Sequence, residues 1–244
     1  MILNPYNKLA NIYDVWITGD NTYLEVLEFY VKIVSKYNPN FVVELGIGTG
    51  RIAIEIVKKL NIRVVGIDNS KEMLNVCKKN IETNNISKNK ITLIQQNIIN
   101  FKQKSNFIIL PFRTIGHFLS FEDKKQLLKQ VYSNLETGGI FVFDHYILDK
   151  QWAIENNQKY IQMYKNKNFT IFDKYKFDFN KNILHCKVFK NNKKIVSFDF
   201  SWFEPFEIKT IIDEIGFKVI GKYGDFDFTP LYKNSSQQIW ILQK

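Results

Sequence analysis

Apolar residues fall into two rhythms along the chain: short runs of strand period and wider repeats of helical period. Leu24, Leu27, Val31 and Val34 share one helical face, with Asn21 as the expected cap and Asn38-Pro39-Asn40 as the stop. Phe41-Val42-Val43 is β-prone and closes on Glu44, after which Ile52, Ile56 and Leu60 resume the helical spacing. Arg63–Asp68 reads as a second strand, and Ser70 caps a helix whose apolar face opens at Met73. Ile91–Ile94 is a third strand, and the fully apolar Phe107–Leu110 is a buried central one. Ser120 and Asp123 form a capping box for a helix carrying Leu127, Leu128, Val131 and Leu135, which Gly138-Gly139 is expected to end. Ile140–Asp144 is the fifth strand. Strands alternating with helices predict a mostly parallel sheet.

Beyond Asp144 the rhythm changes. Lys150 to Asn168 is polar and helix-compatible, and Thr170–Phe177, Ile183–Phe189 and Ile195–Trp202 read as three strands parted by turn-like Asn and Lys clusters. Such short connections make them antiparallel, a small sheet inserted in the larger fold. Glu207–Ile215 is a helix stopped by Gly216, and Phe217–Tyr223 with Ser236–Leu242 form a closing strand pair.

Between the first strand and its helix lies Glu44-Leu45-Gly46-Ile47-Gly48-Thr49-Gly50-Arg51. Glycine at 46, 48 and 50 leaves backbone N–H groups bare beside a helix N-terminus, a place for an anionic or nucleotide ligand. A dinucleotide fingerprint needs a small third residue where Arg51 stands. Asp68 ends the second strand 20 residues beyond Gly48, with Asn69 beside it, and an acid there accepts the ribose hydroxyls of an adenosine cofactor. Met73 is either core or the wall of an adenine slot. At the same sheet edge, His117 and His145 are candidate bases or buried hydrogen-bonding histidines, and Leu110 ends the fourth strand. Arg113 is a bidentate clamp for a substrate carboxylate or a solvated loop arginine, and Trp16, Tyr146 and Trp202 wall a pocket or fill the core. His185 lies mid-strand, structural or pocket-lining.

Charge adds a second question. The formal net charge is +10, yet only three of the 34 basic residues are arginines, and the lysines read along the chain are interspersed with acids and form no stripe. A composition aimed at phosphate would over-use arginine, so nucleic acid is not the expected partner, although it is not excluded. No apolar run reaches the roughly 18 residues of a membrane span. The N-terminus has neither the basic nor the apolar region of a signal peptide. Two cysteines, Cys77 and Cys186, lack metal spacing. A reduced, cytoplasmic chain without metal is the expectation, with a homodimeric state left open.

The E-x-G-x-G-x-G stretch from Glu44 to Gly50 resembles motif I of class I S-adenosylmethionine (SAM)-dependent methyltransferases. Tyr6-Asn7-Lys8-Leu9-Ala10 with Tyr13-Asp14, then Gly116-His117-Phe118, Asp144-His145 and the tail Gly221–Asp227 narrow the resemblance to small-molecule N-methyltransferases of the glycine/sarcosine or amino-sugar type. That resemblance implies a single α/β domain over residues 1–244. Its Rossmann-like, mostly parallel seven-stranded sheet would have helices on both faces, an N-terminal helical lid over 1–38, and antiparallel strands at about 150–203 roofing the active site. It implies SAM as cofactor, held by Tyr13, Glu44, Gly46, Gly48, Gly50, Asp68, Asn69, Met73, Asn97, Ile98 and Leu110. Asn97 stands where such enzymes usually have Asp for the adenine amino group; its carbonyl oxygen accepts the same bond. Tyr6, Trp16, Arg113 and Tyr146 become candidate substrate contacts, and His117 and His145 the candidate catalytic residues. Where the family often carries Asn or Ser after strand four, this chain has Arg113 and Thr114. The expected activity is methyl transfer to an amine or hydroxyl of a small molecule. A tRNA or other macromolecule as acceptor, and a non-catalytic SAM-binding protein, are the alternatives.

Overall fold

A computed structural model describes residues 4–244. The first three residues of the N-terminal segment read above lie outside the described residues. Two short helices, α1 (Tyr6–Leu9) and α2 (Tyr13–Ile17), lead into α3 (Tyr23–Tyr37). Asn21 does not cap α3. The cap position falls at Thr22, whose amide and hydroxyl both donate to Asp20, at 2.9 and 2.7 Å. Asn38, in the left-handed region at φ 44°, closes α3.

Then come β1 (Phe41–Leu45), α4 (Arg51–Leu60), β2 (Arg63–Asp68), α5 (Lys71–Thr83), β3 (Ile91–Gln95), β4 (Ser105–Leu110), α6 (Phe121–Asn134) and β5 (Leu135–Tyr146). Ser70 caps α5 through the Met73 amide, and the Ser120–Asp123 box caps α6. The glycine pair does not end α6. That helix stops at Asn134, whose side-chain amide donates to the Phe101 carbonyl, and Leu135 already pairs with Ser105.

After α7 (Lys150–Asn156) the chain forms β6 (Tyr160–Lys165), β7 (Thr170–Asp178), β8 (Ile183–Lys190) and β9 (Lys193–Ser201), followed by α8 (Pro205–Ile215), β10 (Lys218–Tyr223) and β11 (Gln237–Gln243). The inserted sheet thus has four strands rather than three, all antiparallel. The helix-compatible stretch splits into α7 and β6. β6 is an edge strand that buries little, so it lacks the apolar signal of a strand.

The main sheet has the order β10-β11-β5-β4-β1-β2-β3, parallel except at β11, which runs antiparallel to both β5 and β10. Apolar clusters cover both faces: α3, α4 and α5 supply Phe29, Ile33, Ile56 and Leu74 on one, and α6 and α8 supply Leu127, Val131, Ile208 and Ile212 on the other. Each such burial contributes about 1.5–3 kcal/mol. Because β1 lies beside β4, the chain leaves neighbouring strand ends in opposite directions there, and the fold opens a crevice at their C-terminal edge. Among the described residues, no helix is long and apolar enough to cross a membrane and no group of metal-ligating side chains is assembled.

Candidate active site

At the β1/β4 crevice a cleft of about 720 Å³ opens, bordered by the glycine loop, the end of β2, the loop after β4, the N-terminal segment and β9. Gly46 has φ 73°, and a Cβ there would stand 2.9 Å from the Thr114 methyl. Gly50 has φ 86° and packs against the Cys77 sulfur. Neither position takes an L side chain without strain.

Asp68 is the electrostatic centre of the cleft. Its Oδ2 accepts the Gly48 amide at 2.9 Å and its Oδ1 the Ser70 amide at 2.8 Å. Burial raises its pKa, opposed by the amides of Ser70, Gly48 and Asn69. Two carboxylate oxygens have four lone-pair sites between them, so three amides leave room for a further donor, which suits a ribose hydroxyl. Met73, Asn97 and Ile98 line the adjoining slot, together with Gly46, Gly48 and Asn69. The Asn97 oxygen already accepts the Ile99 amide at 3.1 Å, so one lone pair remains for an exocyclic amine. An acid for a sugar hydroxyl, an amide and apolar side chains for a base, and bare amides between them fit an adenosyl group.

Three expected cofactor residues stand behind the cleft rather than on its surface. Leu110 is fully buried in the sheet, and Gly50 faces Cys77. Glu44 is buried behind the loop, where the Ala53 amide at the start of α4 engages it and one carboxyl oxygen has no hydrogen-bond partner. Burial pushes Glu44 up to about 8, against the pull of Arg51. Arg51 itself stacks on Phe112, Tyr23 and Tyr13 at 4.1, 5.0 and 5.3 Å. That aromatic box accounts for a large residue where a dinucleotide loop needs a small one.

The N-terminal segment is strapped across the cleft by polar ties that its sequence did not announce. Asn4 bonds Asn69, and Ser70 Oγ donates to Asn7 at 2.7 Å. Asp14 accepts from Thr49 Oγ1 at 2.5 Å and from Asn80 at 3.0 Å. Tyr6 and Tyr13 both line the cleft. The Tyr6 hydroxyl meets His117 Nε2 at 2.8 Å. Burial lowers the His117 pKa to about 4, and the Asp199 backbone carbonyl does not offset it. The ring is therefore neutral, and we assign Nε2 as acceptor of the phenol proton. Phe198 and Thr114, which sequence reasoning did not single out for the site, complete this end of the cleft. In the sequence Phe198 falls within the strand Ile195–Trp202 with nothing to mark it as pocket-lining, and Thr114 stands out only as a departure from the family pattern.

The other proposed contacts do not reach the cleft. Arg113 is a correction: its guanidinium pairs with Asp20 and with Thr22 Oγ1, so the carboxylate it clamps is the protein's own. Burial would raise the Asp20 pKa, but Arg113 outweighs it and the carboxyl sits below its ordinary range. Trp16 donates to Asp173 at 2.9 Å in the packing between α2 and the inserted sheet. His145 is also corrected. β5 continues through Tyr146, pairing Gln238 with His145, so the imidazole is fully buried, stacked on Phe203 at 4.4 Å and bonded to the Ser201 carbonyl at 3.0 Å. Burial, then Arg113 and Lys124, hold it well below its ordinary pKa. Tyr146 is half-buried beside it, with a buried hydroxyl that finds no partner. His185 faces away from the cleft and pairs with the Asp199 carboxylate at 2.7 Å.

Asp144 organises the loop after β4. It accepts the Phe112 and Arg113 amides, both at 2.9 Å, and the Tyr30 hydroxyl at 2.6 Å. Phe112 and Arg113 have φ 54° and 60°, conformations uncommon for such side chains, and these bonds hold them there.

Comparison with known proteins agrees with this geometry. A family model described as a methyltransferase domain matches residues 42–139. An uncharacterized methyltransferase of Oceanobacillus iheyensis is 30% identical over 159 residues, 63% of this chain and 71% of that protein. A carboxy-S-adenosyl-L-methionine synthase of Shewanella piezotolerans is 25% identical over 157 residues; the match covers 62% of this chain and 63% of the synthase, under two thirds of its length. Among solved structures, a SAM-dependent methyltransferase of Clostridium acetobutylicum superposes with TM-score 0.78 at 18% identity over 98% of this chain and 99% of the other. A SAM-bound amino pentose methyltransferase of Micromonospora echinaspora does so with TM-score 0.69 at 10% identity, covering 96% and 97%. At these identities the structural likenesses show the fold alone.

Proposed function

The chain belongs to the class I SAM-dependent methyltransferases, with SAM as its cofactor, and we propose that it methylates an amine of a small-molecule acceptor. When bound, SAM supplies a methyl group already activated on a sulfonium. What remains for the protein is to hold the acceptor nitrogen in line with that methyl, and such positioning is worth up to about 7–11 kcal/mol. Asp68, Asn97, Met73 and Ile98 would hold the nucleoside, leaving the end of the cleft at Tyr6, Thr114, His117 and Phe198 for the acceptor.

The observation that carries the choice of an amine is the state of His117. Stripped of its proton down to about pH 4, it accepts a hydrogen bond well but takes up a proton poorly. A neutral amine needs only the first: with the Tyr6 hydroxyl displaced from Nε2, its N–H donates there, which aims the nitrogen lone pair. The N–C bond forms as the C–S bond breaks, the bonding pair stays on sulfur, and the proton leaves the product ammonium to water. A hydroxyl acceptor needs a base near neutrality. Among the described residues lining the cleft there is no lysine or arginine, which argues against a carboxylated donor or an anionic acceptor.

The test is S-adenosylhomocysteine release over a panel of small amines, amino sugars and their hydroxyl isosteres. Turnover with an amine and none with its hydroxyl isostere is expected; equal turnover of both would overturn the reading.

A further inference from the structure

The inserted sheet has two unlike faces. Toward the cleft and the N-terminal helices it presents Ile171, Asp173, Cys186, Val188 and Val196, all buried. The opposite face is open. In register across the strands, one row is Tyr160, Lys174, Lys187 and Ser197, and the next is Gln162, Phe172, Phe189 and Lys194. A third row runs Lys176, His185, Asp199.

Residues 159–201 contain ten lysines and three aspartates, so this stretch carries +7 of the chain's net +10. Strand register brings four of those lysines, Lys174, Lys176, Lys187 and Lys194, to the outer face. Of the three acids, Asp173 is turned inward and Asp199 is engaged by His185. Aromatic rings lie among the lysines. Tyr160 is 57% exposed and packs edge-on against Phe189 and Phe172 at 5.2 and 6.3 Å. The Lys174 ammonium lies 4.9 Å from the Tyr160 ring.

Nothing in the packing requires this charge, since the fully buried side chains of the sheet are on its other side. Four strands at ~4.8 Å spacing make a face roughly 15 Å wide and somewhat longer, the span of a few nucleotides rather than of one phosphate. Lysines act as point charges that track a backbone without reading sequence, and an exposed ring offers a stacking surface to an unpaired base. A duplex hides its bases and is read by elements that enter a groove, which a flat sheet does not. An acidic protein would use the lysines through its carboxylates, whereas an unpaired strand supplies both the anionic backbone and a base for the Tyr160 ring.

We propose that the outer face of the inserted sheet is a platform for a single-stranded nucleic acid, with Lys174, Lys176, Lys187 and Lys194 on phosphates and Tyr160 stacked on a base. The four lysines and Tyr160 of the platform do not line the cleft, and only Asp199 of the outer rows borders it.

The experiment is fluorescence anisotropy of a labelled 12-nucleotide oligo(U), titrated with the full chain between 50 and 200 mM salt, with oligo(dT) in parallel to tell RNA from DNA. Binding of either is expected, its log affinity falling linearly with log salt by about 0.7 per phosphate neutralised. Lys174→Glu with Lys187→Glu should lose tenfold or more at 50 mM salt while keeping the S-adenosylhomocysteine-induced thermal shift. If that pair fails to fold, the Lys→Gln pair reads the same loss of salt slope. Tyr160→Ala should weaken binding several-fold without changing the slope. No binding at 50 mM salt, binding unchanged by these variants, or equal affinity for poly-glutamate or duplex would overturn the proposal.

Discussion

The phenol of Tyr6 bonds Nε2 of His117 at 2.8 Å, joining the N-terminal strap to the loop after β4 across the acceptor end of the cleft. Tyr6 thereby occupies the hydrogen-bond position that an acceptor N–H takes in the proposed reaction. Burial of the pair keeps the imidazole neutral, so the position is an acceptor across the whole physiological pH range.

The kcat/KM profile therefore has no inflection near 6.5. It follows the acceptor amine's own titration, and His117 enters only as pH falls toward about 4. His117→Ala should lower kcat by about 10–100-fold, short of the full 10²–10⁴ of a general base, and His117→Gln should recover part of it through its carbonyl oxygen. His145→Gln should leave turnover per folded molecule near wild type while lowering the melting temperature, because that ring is a buried packing and hydrogen-bonding group. An inflection near neutrality that disappears in His117→Ala would identify a working base instead.

Glu44 makes stability depend on pH. Its carboxyl titrates at about 8 in the folded chain against an ordinary 4.5. Below pH ~4.5 both states hold the proton and its contribution is fully present. Between about 4.5 and 8 the unfolded chain gives the proton up while the folded chain retains it, and stability is lost, by on the order of 3–5 kcal/mol in total. Glu44→Gln keeps the shape and removes the titration. In denaturant melts, its advantage over wild type should grow from pH 5 to pH 9; a constant difference would contradict this.

Asp14 ties the strap to the glycine loop and α5 through Thr49 and Asn80. Asp14→Ala removes two charge-assisted bonds, each worth about 1.5–3 kcal/mol, part of which water restores. Calorimetry should show S-adenosylhomocysteine bound about 5–20-fold more weakly, and trypsin should cut faster at Lys8. Unchanged affinity and unchanged cleavage would mean that the strap does not report on the cofactor site.

Features set by neighbours in sequence were legible: the glycine loop, Asp68 at its strand end, the Ser70 cap and the Ser120–Asp123 box follow from local spacing. What escaped was long-range pairing. Asp20 with Arg113, Trp16 with Asp173 and Asp14 with Asn80 span 93, 157 and 66 residues, and no period of the chain encodes them. Arg113 read as a substrate clamp because its partner was invisible, and His145 read as a base because β5 runs on past Asp144 into the core. The lysines read as interspersed with acids for the same reason: strand register brings Lys174, Lys176, Lys187 and Lys194 to one face, and β6, the strand that completes that face, is polar enough to pass for helix.

The central claim is that the cofactor's sugar is held by Asp68 in the cleft beside the glycine loop, and thermal melting with S-adenosylhomocysteine tests it most directly. At a ligand concentration of about 100 Kd, the wild-type chain should melt roughly 5–10 °C higher than without ligand. Asp68→Ala, at the same concentration, should show little or none of that rise. No shift in the wild-type chain, or an equal shift in Asp68→Ala, would contradict the account.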